Sequence, residues 1–436
     1  MNIRLIASAA VSFIVGMLLP TSRALAQTVT IDNVTIVDVS SGRLQANKSI
    51  VVGGKRIARI EDASVATRAT ATIDGTGMFV IPGLWDMHVH AYFTNDTSRF
   101  HTTNDVMFPL FIVNGVTGVR DLGSNLDATL AARDSVAAHQ LIGPRMLVSG
   151  PMIDGPTTRY AAAIKVTTGD EARAAVRMLK ARGVDLIKTQ TLVPKDAYFA
   201  LADEAARIGI PFEGHVPREI TGLEAVRAGQ RSFEHMIGVT DTNTKLIAAL
   251  AQNMVWQCPT VINSVGTSSD FANDPGIPYW LRSAVDGWRA TAKTQAALPD
   301  SAARAANQRA TRRLALVKQL YDAKIPLLAG TDAPAGYDLV PGASLHRELQ
   351  LFVRAGLTPL QALQTATLNP ARYFGKTDSW GTIEPGKVAD LVLLARNPLV
   401  DIANTRQVVA VVADGRYYSP RELDRMRVRI MELVAK

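Results

Sequence analysis

Two histidines one residue apart, His88 and His90, are the first groups in this 436-residue sequence with an evident chemistry. In an extended segment alternate side chains share a face, so both imidazoles point the same way about 7 Å apart along the backbone. They can converge on one cation, or they can be hydrogen-bonded core groups. Four further positions close apolar runs: Lys188 in Leu186-Ile187-Lys188-Thr189, His215 in Phe212-Glu213-Gly214-His215, His235 in Phe233-Glu234-His235, and Asp332 in Leu328-Ala329-Gly330-Thr331-Asp332. Each has an ordinary structural use: a buried ion pair for Lys188, backbone partners for His215 and His235, a helix cap near Pro334 for Asp332. All of them in the order HxH, Lys, His, His, Asp point to one shared site.

Such scattered residues need a scaffold to bring them together. Short apolar runs at Val80-Ile81, Gly118 to Arg120, Met146 to Val148, Leu186-Ile187, Pro211-Phe212, Ser232-Phe233, Met254 to Gln257 and Ile325 to Leu328 give eight strand candidates. Helical patterns such as Glu171 to Arg182, Ala197 to Arg207 and Thr358 to Thr367 separate or follow several of them. That βα alternation builds a parallel sheet, and eight repeats favour a closed barrel over an open doubly wound sheet. The C-terminal strand ends of a barrel surround one mouth, so His88 and Asp332 become neighbours across 244 positions. The fold class is therefore α/β, a (β/α)8 TIM barrel. The interval Val261 to Lys324, with Tyr279, Trp280 and Trp288, exceeds a minimal repeat and is either a lid or an insertion packed on the barrel wall.

Both ends of the chain read differently. Val29, Ile31, Val34 and Ile36 flank a turn-prone Asp32-Asn33, Val51 to Ile57 reads as a hairpin around a two-residue glycine turn, and Val408 to Tyr418 is broken by Asp414-Gly415. The two β segments are expected to form one small discontinuous β-sandwich. The expected organisation is residues 1–26 as a signal peptide, 27–80 and 376–436 as the two parts of the β-domain with a terminal helix, and 81–375 as the barrel. In the first segment Arg4 precedes an apolar stretch ending near Ala24-Leu25-Ala26, so cleavage is expected after Ala26 and localisation is periplasmic or secreted. Losing Arg4 and Arg23 lowers the formal charge of +8 by two, and no run of five like charges remains, which argues against nucleic acid as a partner. No later segment is apolar enough for stable membrane insertion. Cys258, the one cysteine, cannot close an internal disulfide.

The sequence resembles the amidohydrolase superfamily, in particular its imidazolonepropionase-like branch that includes zinc-dependent Xaa-Pro dipeptidases. The likeness rests on Ile81-Pro82-Gly83-Leu84-Trp85-Asp86-Met87-His88-Val89-His90, Gly115-Val116-Thr117-Gly118-Val119-Arg120-Asp121, Leu357-Thr358-Pro359-Leu360-Gln361-Ala362-Leu363 and Gly381-Thr382-Ile383-Glu384-Pro385-Gly386-Lys387-Val388-Ala389-Asp390-Leu391. It implies two divalent metal ions, zinc by ligand type, with His88, His90 and Asp332 on one, His215 and His235 on the other, and Lys188 bridging as its carbamate. Two such cations lower the pKa of a water and polarise a substrate carbonyl, and Asp332 would take the proton and deliver it to the leaving nitrogen.

The resemblance implies hydrolysis of an amide to a C-terminal amino acid, in a Xaa-Pro dipeptide, an N-acyl amino acid or an ochratoxin-type amide. Cyclic amides, lactones and phosphotriesters are the alternative substrates, and a non-catalytic metal- or solute-binding scaffold is the remote one. Arg159, Tyr160 and Arg218 follow the third and fifth strands and are candidates to meet a substrate carboxylate. Val216-Pro217 after His215 and Met236 after His235 depart from the family pattern and leave substrate specificity open. Arg120-Asp121 is read as a brace of the mouth and His346 either as a group supporting the ligands or as a structural one; His101 and His139 are unassigned, and a homo-oligomer is left open.

Overall fold

The computed structural model describes residues 28–64, 71–92, 104–240, 243–265 and 271–435. The expected signal peptide and its cleavage point, and His101, lie outside them. Seven parallel strands follow one another with short helices between: Leu84–Val89, Val116–Asp121, Arg145–Val148 extended by Ile153–Asp154, Ile187–Thr189, Phe212–Gly214, Ser232–Glu234 and Trp256–Cys258. The eighth segment is no regular strand. It is held by parallel bridges, Leu327 to Gln257 on one side and Ala333 to Val89 on the other, which close the ring into a TIM barrel. Gly330 permits this closure, because a side chain there would strike Cys258 Sγ and the backbone of His88.

Helices Leu126–Ala137, Gly169–Ala181, Lys195–Ile208 and Asp300–Asp322 cover the outside. Gly169–Ala181 begins two residues before the pattern suggested because Thr168 and Glu171 form a reciprocal capping box. The wall strands are buried on both faces, which is why they read as short apolar runs without alternation. The terminal segments form one eight-stranded, curled sheet around Ile31, Ile50, Val80, Leu391 and Val412.

Three local expectations change. Val80-Ile81 does not open the barrel: Phe79–Pro82 pairs with Thr28–Val37 and Leu391–Leu394 in the terminal sheet, and the first barrel strand starts at Leu84. Asp32-Asn33 is no turn. It is a bulge inside the strand Thr28–Val37, with Asn33 taking a positive φ that asparagine tolerates. The Gly53-Gly54 turn shifts by one residue, since Gly53 pairs with Arg56 and leaves Gly54-Lys55 at the tip. Asp414-Gly415 is the expected hairpin tip, both residues at positive φ.

In the long interval before the eighth segment, Phe271 and Trp280 are buried against the helices Asn104–Val113 and Pro420–Val434, and Trp280 Nε1 donates to the Tyr337 carbonyl. These two aromatics serve a second core beside the barrel. No described helix is long and apolar enough to cross a membrane.

Candidate metal centre

The barrel brings His88, His90, Lys188, His215, His235 and Asp332 to the C-terminal ends of its strands. The rings of His88 and His90 lie 5.3 Å apart, those of His88 and His235 4.7 Å, and those of His215 and His235 4.8 Å. Lys188 Nζ is 3.5 Å from His88 Nε2, and Asp332 Oδ1 lies 2.9 Å from His90 Nε2 and 3.3 Å from His88 Nε2. Nitrogen and oxygen atoms of His88, His235 and Asp332 fall within 4.8 Å of one another.

What orients each imidazole is a partner at Nδ1. His88 Nδ1 donates to Glu234 Oε2 at 2.7 Å and His90 Nδ1 to the Gly123 carbonyl at 3.0 Å. His215 Nδ1 meets Thr191 Oγ1 at 2.8 Å, and that hydroxyl already donates to Gln190 Oε1, so the ring must be the donor. His235 Nδ1 meets Thr260 Oγ1 at 2.5 Å, whose hydroxyl donates to the Pro259 carbonyl, with the same consequence. Each of the four rings is thus held through Nδ1, and Nε2 is the nitrogen that a metal would take.

The electrostatics agree with that donor set. Burial, with the Lys188 charge behind it, holds His88 and His215 well below the ordinary imidazole pKa, and burial brings His235 down to about 4. Burial also lowers the Lys188 amine, which is 1% exposed, toward its neutral form. Asp332 behaves oppositely: burial raises it, but His235, His88 and His90 outweigh burial and hold it below the carboxylate range. Asp332 Oδ1 thus lies 3.3 Å from His88 Nε2 and 2.9 Å from His90 Nε2. Imidazole nitrogens and a carboxylate oxygen converging at this spacing are a donor set for a divalent metal, so the residues present fit one.

Backbone geometry supports the same site. His235 and Asp332 both have positive φ, 59° and 65°, a conformation that costs side-chain-bearing residues energy and collects where function requires it. Asp332 Oδ2 accepts 2.6 Å from Asn263 Nδ2, and Asp86 holds the preceding residue through Thr331 N and Oγ1. Burial raises the Asp86 carboxyl to about 7.

Sequence reasoning did not single out Glu234, Thr191, Thr260, Asn263 or Asp86. Glu234 and Asp86 were readable as acids one and two residues from a histidine; Asn263 lay in an interval whose shape no periodicity gives. Arg120 is buried below the centre, where it bonds Glu213, Glu234, Ser232, Tyr373 and the Met87 carbonyl. Asp121 does brace the mouth, accepting from Ala91 N and Ser124 Oγ. His346 lies elsewhere, bonded to Thr405 and the Asn114 carbonyl. Arg159 is exposed and stacks on Tyr160, and Arg218 is exposed. His139 pairs with Asp414 in the terminal sheet.

Residues 79–417 match the amidohydrolase family. A solved Xaa-Pro dipeptidase with methionine bound in its active site is similar at TM-score 0.70 and 22% identity, over 90% of this chain and 100% of that one. Bottromycin amidohydrolase is similar at TM-score 0.76 and 24% identity, over 94% of this chain and 91% of that one. An adenine deaminase of Rubrobacter xylanophilus is 26% identical over 402 residues, 89% of this chain but 57% of that protein. The chain thus spans about half the length of the curated relatives it matches along most of its sequence. The family match covers most of the chain, and the chain belongs to the amidohydrolase family.

Proposed function

We propose that this protein is an exported, binuclear metal-dependent hydrolase that cleaves an amide bond to a C-terminal amino acid, as in a Xaa-Pro dipeptide, an N-acyl amino acid or an ochratoxin-type amide. The observation that carries the reading is the set of four imidazoles, two buried and two half-buried, each fixed through Nδ1, around Asp332 and a buried Lys188. His88, His90 and Asp332 would hold one divalent cation and His215 and His235 the other, probed first as zinc, with carbamylated Lys188 between them. Cations there supply an acidified water and a polarised carbonyl oxygen.

The chain's own residues do the remaining work. Asp332, held at Oδ2 by Asn263 Nδ2, would accept the proton of the attacking water and pass it to the leaving nitrogen, which must be protonated to depart. Thr191, Thr260, Gly123 and Glu234 keep the imidazoles in the ligating tautomer. Arg159, Tyr160 and Arg218, on loops that follow strands at the same end of the barrel, are offered as contacts for a substrate carboxylate.

The likeness to adenine deaminases favours a second reading, hydrolytic deamination of an aminopurine. Lys188 weighs against it, because a buried amine among imidazoles suits a bridge between two cations. The test is a panel of Xaa-Pro dipeptides, N-acyl amino acids, ochratoxin-type and cyclic amides, lactones, phosphotriesters and adenine, given to metal-loaded and chelator-treated protein. Chelator-sensitive release of a C-terminal amino acid is expected. Preferential ammonia release from adenine, or turnover confined to a cyclic amide, lactone or phosphotriester, overturns the substrate class; no turnover of any member removes the enzymatic reading.

A further inference from the structure

At the opposite end of the barrel from the metal centre there is a second cavity, of about 310 Å³, closed on one side by the terminal sheet. Thr117 and Arg145 stand at the starts of strands whose far ends, Asp121 and Val148, approach the mouth, so the two sites lie a strand length apart, ~13 Å or more. The cavity falls at the low end of the volumes that small ligands occupy. Its bed is apolar, from Val136, Leu141, Met146, Leu147 and Ala413, with Trp380 and Tyr418 adding aromatic surface.

The charges around it are unevenly satisfied. Arg133 faces Asp134 and Asp185. Arg145 stacks over Trp380 at 5.4 Å and pairs with Asp414 at 2.7 Å, while Asp414 also takes Lys55 at 2.5 Å and His139 at 2.8 Å. Asp414 therefore meets Arg145, Lys55 and His139, Asp390 lies 3.7 Å from Arg145, and the Arg145 Nε atom is buried with no hydrogen-bond partner. Arg416 stacks on the Tyr418 ring at 4.8 Å and, among the described residues, forms no ion pair with a carboxylate. Thr117, also lining the cavity, is 1% exposed and its hydroxyl is likewise unpartnered. A guanidinium held flat on an aromatic ring presents its N–H edge for a bidentate partner. An arginine without a carboxylate partner, planar aromatic walls and an apolar bed together describe the complement of a flat, amphipathic anion.

We propose that this cavity is an accessory binding site for a small aromatic carboxylate, with Arg416 and Arg145 taking the carboxylate and Trp380, Leu141 and Val136 taking the ring. The site is independent of the metals, and its recognition does not rest on the hydrolytic reading. Its chemistry separates it from the centre at the mouth, where a carboxylate would be drawn to cations held by histidine.

The probe is para-fluorophenylacetate, titrated by fluorine NMR into the full metal-loaded protein, with the neutral amide para-fluorophenylacetamide beside it. Saturable binding is expected, with the carboxylate preferred at least about tenfold over the amide, the size expected for one charge-assisted bidentate contact. Arg416→Gln should weaken carboxylate binding about tenfold and erase that preference. Ala137→Trp, which adds an indole at an exposed lining position without touching the core, should abolish binding and serves as the second variant should Arg416→Gln disturb the hairpin. Binding that is unsaturable, indifferent to the carboxylate, or unchanged in both variants overturns the proposal, the last outcome placing the probe at the metal centre instead.

Discussion

In the floor of the barrel Arg120 lies between Glu213 and Glu234, and each of its three nitrogens has a partner. At the mouth above it Lys188 stands among four imidazoles and one carboxylate, with Nζ 3.5 Å from His88 Nε2 and Asp332 Oδ1 2.9 Å from His90 Nε2. The floor is fully buried and the mouth mostly so, with His215 and His235 half-buried. For Arg120, burial disfavours the cation, but Glu213 and Glu234 more than compensate and its pKa rises. For Lys188, burial wins and the pKa falls. The floor is an ion network that satisfies itself, and the mouth is one that needs an outside cation. Glu234 joins them, with Oε1 on Arg120 and Oε2 on His88 Nδ1, so the self-satisfied cluster aims the unsatisfied one.

The largest effect should come from Asp332, the one group at the mouth assigned both a ligand and a proton-carrying role. Asp332→Asn keeps an oxygen for the metal and removes the base, so turnover should fall about 10²- to 10⁴-fold while metal content, read by elemental analysis, stays near that of the parent. Turnover within threefold of the parent would take Asp332 out of proton transfer. Next comes the floor. Arg120→Met leaves Glu213 and Glu234 buried without their cation, and unfolding in urea should show a loss of about 3–5 kcal/mol. The double variant Arg120→Met with Glu213→Gln should recover part of it, and no recovery would mean that packing of the guanidinium, rather than its charge, holds the floor.

That contrast also explains how much could be read from sequence. The strand-end groups were legible because a parallel barrel fixes where strand ends go: once eight βα units are counted, His88, His215 and Asp332 must share a mouth. The same logic misplaced Val80-Ile81, since a buried apolar run looks alike in a barrel wall and in the neighbouring sheet. The floor was half legible. Arg120 carried a signal in its position but its partners did not, because inward-facing residues on different strands meet through barrel stagger, which leaves no trace in spacing. Asn263 was hidden altogether, lying on a short helix whose place is set by Glu348 accepting from the Val261 and Ile262 amides.

A smaller, sharper effect is expected at Lys188. With the floor intact, Lys188→Ala should lower bound metal from two ions per chain toward one and weaken retention of the remaining ion at least about tenfold. Short carboxylates such as acetate or propionate, able to lend two oxygens in the vacated space, should restore part of the second equivalent. Two ions retained without rescue would exclude the bridging carbamate.

The smallest effect tests whether neutrality at the mouth is special or merely the consequence of burial, and His346 is the internal control. It too is buried, and burial, with the Arg406 charge adding to it, brings its pKa down from 6.5 to about 3. Its partners at the two nitrogens are Thr405 and the Asn114 carbonyl, neither of them a group of the metal centre. Below pH 6.5 the unfolded chain binds a proton at this position that the folded chain refuses until about pH 3, so folding stability declines as pH falls through that window. One such group contributes a slope of up to ~1.4 kcal/mol per pH unit. His346→Gln, which can keep a donor and an acceptor in the same place, should remove that slope whether or not metal is bound. The slope contributed by His88, His215 and His235 should instead depend on metal, because a bound cation competes with the proton for the same Nε2 lone pair. Urea titrations at pH 5 and 7, with and without chelator, separate the two; a His346→Gln effect that changes with chelator would tie His346 to the centre and undo the contrast.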